Sequence, residues 1–162
     1  MIPSTVDIEL LRIALEVGSQ SQQNGNLPFG CILVDDAGNV LEKGENTVVT
    51  TNDAIAHCEI NLVHQLAGKY NNDFLNNCTL YAGTEPCPMC AAAIFWSGIG
   101  RIVYALSKKG YHEEAATTNP AWIFHMQVDE LLNHGSRKII VSGPLMEQEA
   151  KQFYKDLLTQ IP

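Results

Sequence analysis

The chain has 162 residues, of which 46% are apolar and 17% charged, a composition that suits one compact domain with its own core. It contains no apolar run near the ~20 residues of a membrane span, and its first residues lack the basic and apolar regions of a signal peptide. The net charge of −8 favours a small-molecule partner over a nucleic acid, because phosphate binding usually requires a basic face. Five cysteines, an odd number without secretory features, favour reduced thiols and a cytoplasmic location.

The first third of the chain predicts one helix and a strand hairpin. An apolar stripe at helical spacing predicts a helix over Ser4–Val17, with Gly18 at its exit and a polar loop over 20–26. A buried strand is expected at Cys31–Val34. After a turn rich in Asp, Gly and Asn, its partner strand is expected over Val40–Val49.

The rest of the chain alternates between helices and strands. The predicted helices lie at Asp53–Ala67, Pro88–Trp96, between Pro120 and Asn133, and at Leu145–Leu158. The predicted strands lie at Leu80–Ala82, Ile102–Tyr104 and Ile139–Val141. This alternation predicts a single three-layer α/β domain over residues 1–162, in which a helical crossover makes the fourth and fifth strands parallel.

Two short segments carry the residues of a catalytic zinc site. His57 and Glu59 stand in one, and Cys87 and Cys90 in the other, each segment at the start of a predicted helix. A helix N-terminus favours thiolate, and residues three apart share a face, so both cysteines can reach one ion. His57 completes three ligands, which leaves a fourth position for water and Glu59 beside it as the general acid and base.

A closed structural zinc site is the alternative interpretation of the same residues. It would add Cys58 to the three ligands as a Cys₃His set. Adjacent helical residues diverge by ~100°, so His57 and Cys58 do not readily face one ion. Glu59 would also have no role, and Cys58 is better explained as a small buried residue.

The pattern H-x-E followed by P-C-x-x-C resembles the signature of the zinc-dependent cytidine and deoxycytidylate deaminases. The resemblance runs from about Leu27 to Leu106. The stretch Thr84–Ile94 is similar to the zinc-binding segment of guanine, cytosine and tRNA adenosine deaminases. It implies an α/β/α fold with a mixed five-stranded sheet, one zinc ion per chain, hydrolytic release of ammonia, and a homodimer or larger assembly.

The same resemblance implies three substrate contacts. Phe29, in the Leu27–Gly30 segment, would flank the base; Asn46 would hydrogen-bond to it; and Trp96 would lie at the side of the pocket. Two of these residues have a structural alternative: Asn46 also suits a strand end, and Trp96 also suits a helix core.

The segment after Leu106 departs from the branches of the family. It lacks the Arg-Asp pair of tRNA adenosine deaminases, and only Glu113 or Glu114 could replace an acidic specificity residue. The favoured function is deamination of a small nucleobase or nucleoside, a guanine-like purine before cytosine. The alternatives are a tRNA-specific adenosine deaminase and, more distantly, a non-catalytic zinc module.

Overall fold

The computed structural model describes residues 4–115, 119, 121 and 123–159 as a five-stranded sheet with helices on both faces. The strands are β1 (Gly30–Val34), β2 (Val40–Glu45), β3 (Thr79–Thr84), β4 (Arg101–Leu106) and β5 (Ile140–Ser142). The sheet order is β2-β1-β3-β4-β5. Strand β1 runs antiparallel to β2 and β3, whereas β3, β4 and β5 are parallel, so the expected mixed sheet and its parallel fourth and fifth strands are confirmed.

Eight helices surround the sheet within the described part of the chain. They are α1 (Thr5–Gln23), α2 (Val48–Thr51), α3 (Cys58–Leu66), α4 (Asn72–Leu75), α5 (Pro88–Ser97), α6 (Lys108–Glu114), α7 (Val128–Leu132) and α8 (Glu147–Thr159). Alternate residues of β1 separate the two cores: Cys31 and Leu33 face α3 and α5, whereas Ile32 and Val34 face α1 and α8. None of the described helices is both long and apolar enough to cross a membrane.

Helix α1 begins as predicted but does not end at Gly18. Ser4 caps it by accepting a hydrogen bond from the backbone N–H of Asp7 (3.0 Å). Gly18 lies inside the helix because β1 passes close by: a Cβ at this position would lie 2.7 Å from the carbonyl oxygen of Pro28. The polar residues that follow stay helical to Gln23, and the buried Ser21 hydroxyl donates to the carbonyls of Leu27 and Asn46 (2.8 Å each).

The predicted strand over Val40–Val49 is too long. Strand β2 ends at Glu45, and α2 follows because side chains satisfy its first backbone N–H groups. The Asn46 Oδ1 atom accepts from Val48, and the Asn26 Oδ1 atom accepts from Val49 and Thr50.

The predicted helix over Asp53–Ala67 begins five residues later, at Cys58. Asp53 instead forms a turn in which its Oδ1 atom accepts from the backbone N–H of Ile55 (3.0 Å). His57 is therefore the N-cap of α3, with extended backbone, rather than a residue of the helix interior.

The region after β4 holds the largest difference from the sequence prediction. Helix α6, which Ser107 caps through Gly110, was not predicted. Of the predicted helix between Pro120 and Asn133, the described part is α7, while positions 116–118, 120 and 122 lie outside the described residues. The last predicted strand and helix are confirmed, with their ends shifted by one or two residues.

Candidate active site

Two helix starts bring the three predicted metal ligands together. His57 is the N-cap of α3 and Cys87 the N-cap of α5, while Cys90 lies in the first turn of α5. The His57 Nδ1 atom lies 3.7 Å from the Cys87 Sγ atom and 3.5 Å from the Cys90 Sγ atom. All three ligand atoms lie within 4.8 Å of one another, so they could hold one metal ion.

The spacing and chemistry of this group fit zinc. A tetrahedral Zn²⁺ with ordinary bond lengths to nitrogen and sulfur separates those two ligand atoms by about 3.5 Å. One imidazole and two thiols also form a usual donor set for a catalytic zinc site with an open position. The buried Cys58 thiol lies outside the group and instead donates to the Glu59 Oε2 atom (3.1 Å), so a four-ligand closed site does not form.

Hydrogen bonds within the cluster favour a thiolate. The Cys90 thiol hydrogen-bonds to Cys87, and together with His57 it lowers the pKa of Cys87 to about 4 against the effect of burial. The same contact and burial raise the pKa of Cys90. The hydrogen bond from Cys87 also raises the pKa of His57. The cluster therefore presents a deprotonated sulfur atom, which is the form that binds a metal.

Glu59 lies beside the ligands and is only 5% exposed. Burial raises the pKa of its carboxyl group, and the nearby negative charge of Cys87 acts in the same direction. The carboxylate lines the same cavity as His57 and Cys87 but is not a member of the ligand group. This placement suits a group that exchanges protons with a water or substrate next to the ion.

A cavity of about 370 Å³ opens in front of the ligand group. Phe29 and Asn46, the substrate contacts that the family resemblance implies, line this cavity. The Phe29 ring packs against the Tyr111 ring with centroids 4.9 Å apart. Asn46 is 1% exposed, and its Oδ1 atom accepts from the N–H of Val48, which directs its Nδ2 group the other way.

The structure does not bring Trp96 to this cavity. The Trp96 side chain is 80% exposed and lines a separate groove near the end of α5. Helix α5 turns Cys90, Ala91 and Ile94 toward the core, and this rotation leaves Trp96 on the opposite, solvent-facing side. The expectation that Trp96 flanks the pocket of its own chain is thus corrected.

Sequence reasoning missed the wall of the cavity that follows β4. Lys108, Tyr111 and His112 of α6 and Phe124 line it. The acidic candidates behave differently: Glu113 is exposed and pairs with Lys151 (2.8 Å), and Glu114 does not line the cavity. The only local signal for α6 was the N-cap type Ser107 before a helix-compatible stretch.

Comparison with known proteins identifies the class. Residues 4–106 match the model of the cytidine and deoxycytidylate deaminase zinc-binding region, and the chain belongs to this family. The protein is therefore a member of a zinc-binding deaminase family, with His57, Cys87 and Cys90 as the group that could bind one metal ion.

Particular relatives differ in their substrates. A probable cytosine deaminase of Schizosaccharomyces pombe is 38% identical over 147 residues, covering 91% of this chain and 89% of that protein. A tRNA-specific adenosine deaminase of Haemophilus influenzae is 36% identical over 147 residues, covering 91% and 80%. The fold is also that of a guanine deaminase from Nitrosomonas europaea, with a TM-score of 0.75 at 22% identity over 93% of this chain and 83% of that one.

Proposed function

We propose that this protein is a single-domain hydrolytic deaminase of a nucleobase or nucleoside, a guanine-like purine or cytosine. The observation that carries the proposal is the cavity in which His57, Cys87 and Glu59 meet the Phe29 ring and the Asn46 amide. Its volume of about 370 Å³ is at the small end of the range for ligand pockets, ~300–1,000 Å³. One heterocycle is therefore a suitable occupant.

The proposed reaction replaces an exocyclic amine with a carbonyl and releases ammonia. Zinc, when bound, lowers the pKa of water toward ~7 and so supplies a nucleophile at neutral pH. Glu59 accepts the proton of the attacking water and delivers it first to the adjacent ring nitrogen. Glu59 then takes the remaining proton from the newly attached hydroxyl group and transfers it to the amine. The C–N bond breaks as the carbonyl forms, so water and the aminated base have become ammonia and the carbonyl base.

Substrate orientation is assigned to Asn46 and Phe29. Because Val48 holds the Asn46 Oδ1 atom, the Nδ2 group is the donor that we assign to a carbonyl oxygen or ring nitrogen of the base. The Phe29 ring, held against Tyr111, offers a flat apolar surface for the ring face of the base.

The charge of the cavity wall favours a small substrate over tRNA. Lys108 is a cation of this wall, but its Nζ atom donates to the carbonyls of Met126 (2.5 Å) and Phe124 (3.4 Å). It therefore holds the wall of the cavity rather than presenting its charge to a phosphate. A tRNA-specific adenosine deaminase is the second candidate, because the Haemophilus influenzae relative matches 91% of this chain.

Ammonia release by the zinc-loaded protein tests both candidates. The panel comprises guanine, cytosine and adenine, their nucleosides, and deacylated tRNA. We expect turnover of a free base or nucleoside. Turnover of tRNA alone would establish the second candidate, and an absence of ammonia from every compound would contradict both.

We further propose that the protein acts as a cytoplasmic homodimer. The solvent side of α5 carries an apolar stripe at helical spacing, formed by Met89, Ala92, Ala93 and Trp96. A helix that is apolar on all sides is normally buried, so an exposed apolar stripe on α5 is typical of a surface that another apolar surface covers. The five cysteines are free thiols, which agrees with a reducing compartment.

A further inference from the structure

The side chain of Asn61 joins α3 to the segment that carries Asn46. Its Nδ2 atom donates to the Glu45 carbonyl (2.8 Å) and to the Thr47 hydroxyl (2.9 Å), so it binds the residues on both sides of Asn46. A third acceptor, the carbonyl of Ala56, lies 3.3 Å from the same atom. Carbonyl oxygens only accept hydrogen bonds, so these partners require the amide nitrogen at this end of the side chain.

The third acceptor lies where the chain enters α3. Ala56 is 5% exposed, and its carbonyl also accepts a hydrogen bond from the backbone N–H of Thr47 (3.0 Å). Asn61 belongs to α3 and follows Glu59 by two positions. Its amide therefore fixes the backbone around Asn46 relative to the helix that bears Glu59.

The position of the Asn46 side chain follows from its backbone. The Asn46 N–H donates to the Phe29 carbonyl (3.1 Å), and the Asn46 carbonyl accepts from the Ser21 hydroxyl (2.8 Å). The Oδ1 atom accepts from the N–H of Val48 (3.1 Å). Because these bonds tie the side chain to its own segment, a shift of that segment moves the Nδ2 group with it.

The proposed reaction needs a fixed distance between Asn46 and Glu59. Both residues line the cavity, but they come from different elements, the segment after β2 and helix α3. The base must bind to the Asn46 amide while its reacting atoms lie within hydrogen-bond reach of the Glu59 carboxylate. A misplacement of about 1 Å between two such groups is enough to slow a reaction markedly.

We infer that Asn61 is a positioning residue of the proposed deaminase, which acts through Asn46 by setting where its amide lies relative to the Glu59 carboxylate. The inference rests on the proposed function. It adds to that function a residue that does not itself line the cavity.

The chain offers a matched control for Asn61. Gln65 lies one turn further along α3, and its side-chain amide donates to the Lys43 carbonyl of β2 (3.1 Å). Gln65→Ala therefore removes the same type of bond between the same two elements, but away from Asn46. We expect Gln65→Ala to keep kcat/KM within about twofold of the wild type.

Asn61→Ala should lower kcat/KM by about 10–100-fold. The loss should lie mainly in KM, because the hydrogen bond from Asn46 to the base exists both before and during the reaction. Thr47→Val, a milder change that removes one acceptor of the Asn61 amide, should lower kcat/KM by about 3–10-fold. The kinetics use the compound of the panel above that the wild type turns over fastest, and zinc content and melting temperature show that each variant is folded.

A double-mutant cycle separates positioning from a general loss of stability. Asn46→Ala removes the group through which Asn61 acts, so adding Asn61→Ala to it should lower kcat/KM by no more than about twofold further. If Asn61→Ala does not fold, Thr47→Val takes its place in the same cycle.

Hydrogen exchange supplies a measurement that needs no substrate. The backbone amide protons of Asn46 and Thr47 should exchange faster in Asn61→Ala than in the wild type, and Gln65→Ala should leave them unchanged. The inference is overturned if Asn61→Ala keeps the KM and the exchange rates of the wild type, or if the losses in the cycle add. A wild type without deaminase activity refutes the proposed function and this inference together, whereas an active wild type with additive losses refutes the inference alone.

Discussion

The site depends on residues that stand just before or within the first turn of a helix. His57 and Cys87 are both N-cap residues with extended backbone, so their side chains project from the positive ends of α3 and α5. This position stabilises the negative charge of a thiolate at Cys87. Within the first turn of each helix, Glu59 and Cys90 are buried against the same centre. Four chemically active side chains thus converge with little help from loops.

Glu59 and Cys58 should respond differently to the same substitution. Glu59→Ala is expected to retain one zinc ion per chain but to lose turnover by about 100- to 10,000-fold, because it removes the proton carrier and no ligand. Cys58→Ala should retain both zinc and turnover, because the buried thiol lies outside the ligand group. Metal analysis and ammonia release on the purified variants measure these effects.

Loss of zinc in Cys58→Ala, with no activity in any form of the protein, would support the closed structural site instead. This pair of neighbouring alanine variants therefore separates a catalytic centre from a structural one.

The metal ligands could be predicted from local sequence patterns. Residues that reach the cavity only through long-range packing could not. The ligand types and the three-residue spacing of Cys87 and Cys90 are properties of the sequence itself, and the structure assembles them as expected. The Trp96 contact was implied by the family resemblance alone, and the sequence of α5 could not test it, because a helix that is apolar all round does not reveal which face meets the core. His112 lies outside both motifs and reaches the cavity only through the packing of α6.

At the level of elements, two tyrosines show how α1 and α8 are fixed to the sheet. The Tyr81 hydroxyl of β3 donates to the Asp7 Oδ1 atom of α1 (2.7 Å), and Arg101 of β4 donates to the same carboxylate. Burial alone would raise the pKa of Asp7, but the hydrogen bonds from Arg101, Tyr81 and Ser4 lower it overall. The carboxylate therefore stays charged and binds α1 to two strands.

Tyr154 of α8 differs from Tyr81 in the environment of its hydroxyl group. Its side chain is fully buried, and its hydroxyl has no hydrogen-bond partner among the described residues. It fits between the strands and helices because Gly83 has no side chain: a Cβ there would lie 2.6 Å from the hydroxyl oxygen. The ring itself packs edge-on against Tyr111, with centroids 5.2 Å apart, and so supports the cavity wall from behind.

The same substitution should therefore have opposite effects at these two positions. Tyr154→Phe is expected to leave the free energy of unfolding unchanged or to raise it by about 1 kcal/mol, because it removes a buried hydroxyl without a partner. Tyr81→Phe should lower it by about 1–3 kcal/mol, because a hydrogen bond to a buried carboxylate is lost. Urea unfolding of both variants measures the difference. A marked destabilisation by Tyr154→Phe would show that a buried water satisfies this hydroxyl.

The boundaries of several elements could not be predicted because side-chain hydrogen bonds set them. The side chains of Asn26 and Asn46 accept hydrogen bonds from the first backbone N–H groups of α2, so a helix forms where the end of a strand was expected. Asp53 delays the start of α3 in the same way. Two strand pairings were predicted from the sequence: the hairpin of β1 and β2 from the turn between them, and the parallel pairing of β4 and β5 from the helical crossover. The order of the strands in the sheet was not predicted.

For the whole molecule, the net charge bears on the kind of substrate, and the exposed apolar surface bears on the oligomeric state. The net charge of −8 is borne by an exterior with few basic clusters, which favours a small substrate. The stripe on α5 is the apolar surface that supports a dimer. The proposed dimer surface and the proposed substrate site are separate, because Trp96 of this stripe lines a different groove from the cavity that holds Glu59.

The proposed dimer gives a measurable prediction. Sedimentation of the wild type should give twice the chain mass of 17.8 kDa, and Trp96→Glu should shift the protein toward the monomer. Val6→Glu is the matched control, because Val6 is also an exposed apolar residue (57%) but lies on α1. A wild type that sediments as a monomer, or a Trp96→Glu variant that remains a dimer, would contradict the proposal.

The two ends of the cavity come from separate stretches of the chain. The metal ligands and Glu59 lie between positions 57 and 90, whereas the wall that follows β4 comes from Lys108, Tyr111, His112, Ala115 and Phe124. Evolution can therefore change the two parts separately: under the proposed function, substitutions in α6 or at Phe124 change which substrate binds, while the metal ligands and Glu59 stay the same. A mutant library confined to α6 and Phe124 is thus the smallest one that we would use to change the substrate specificity of this protein.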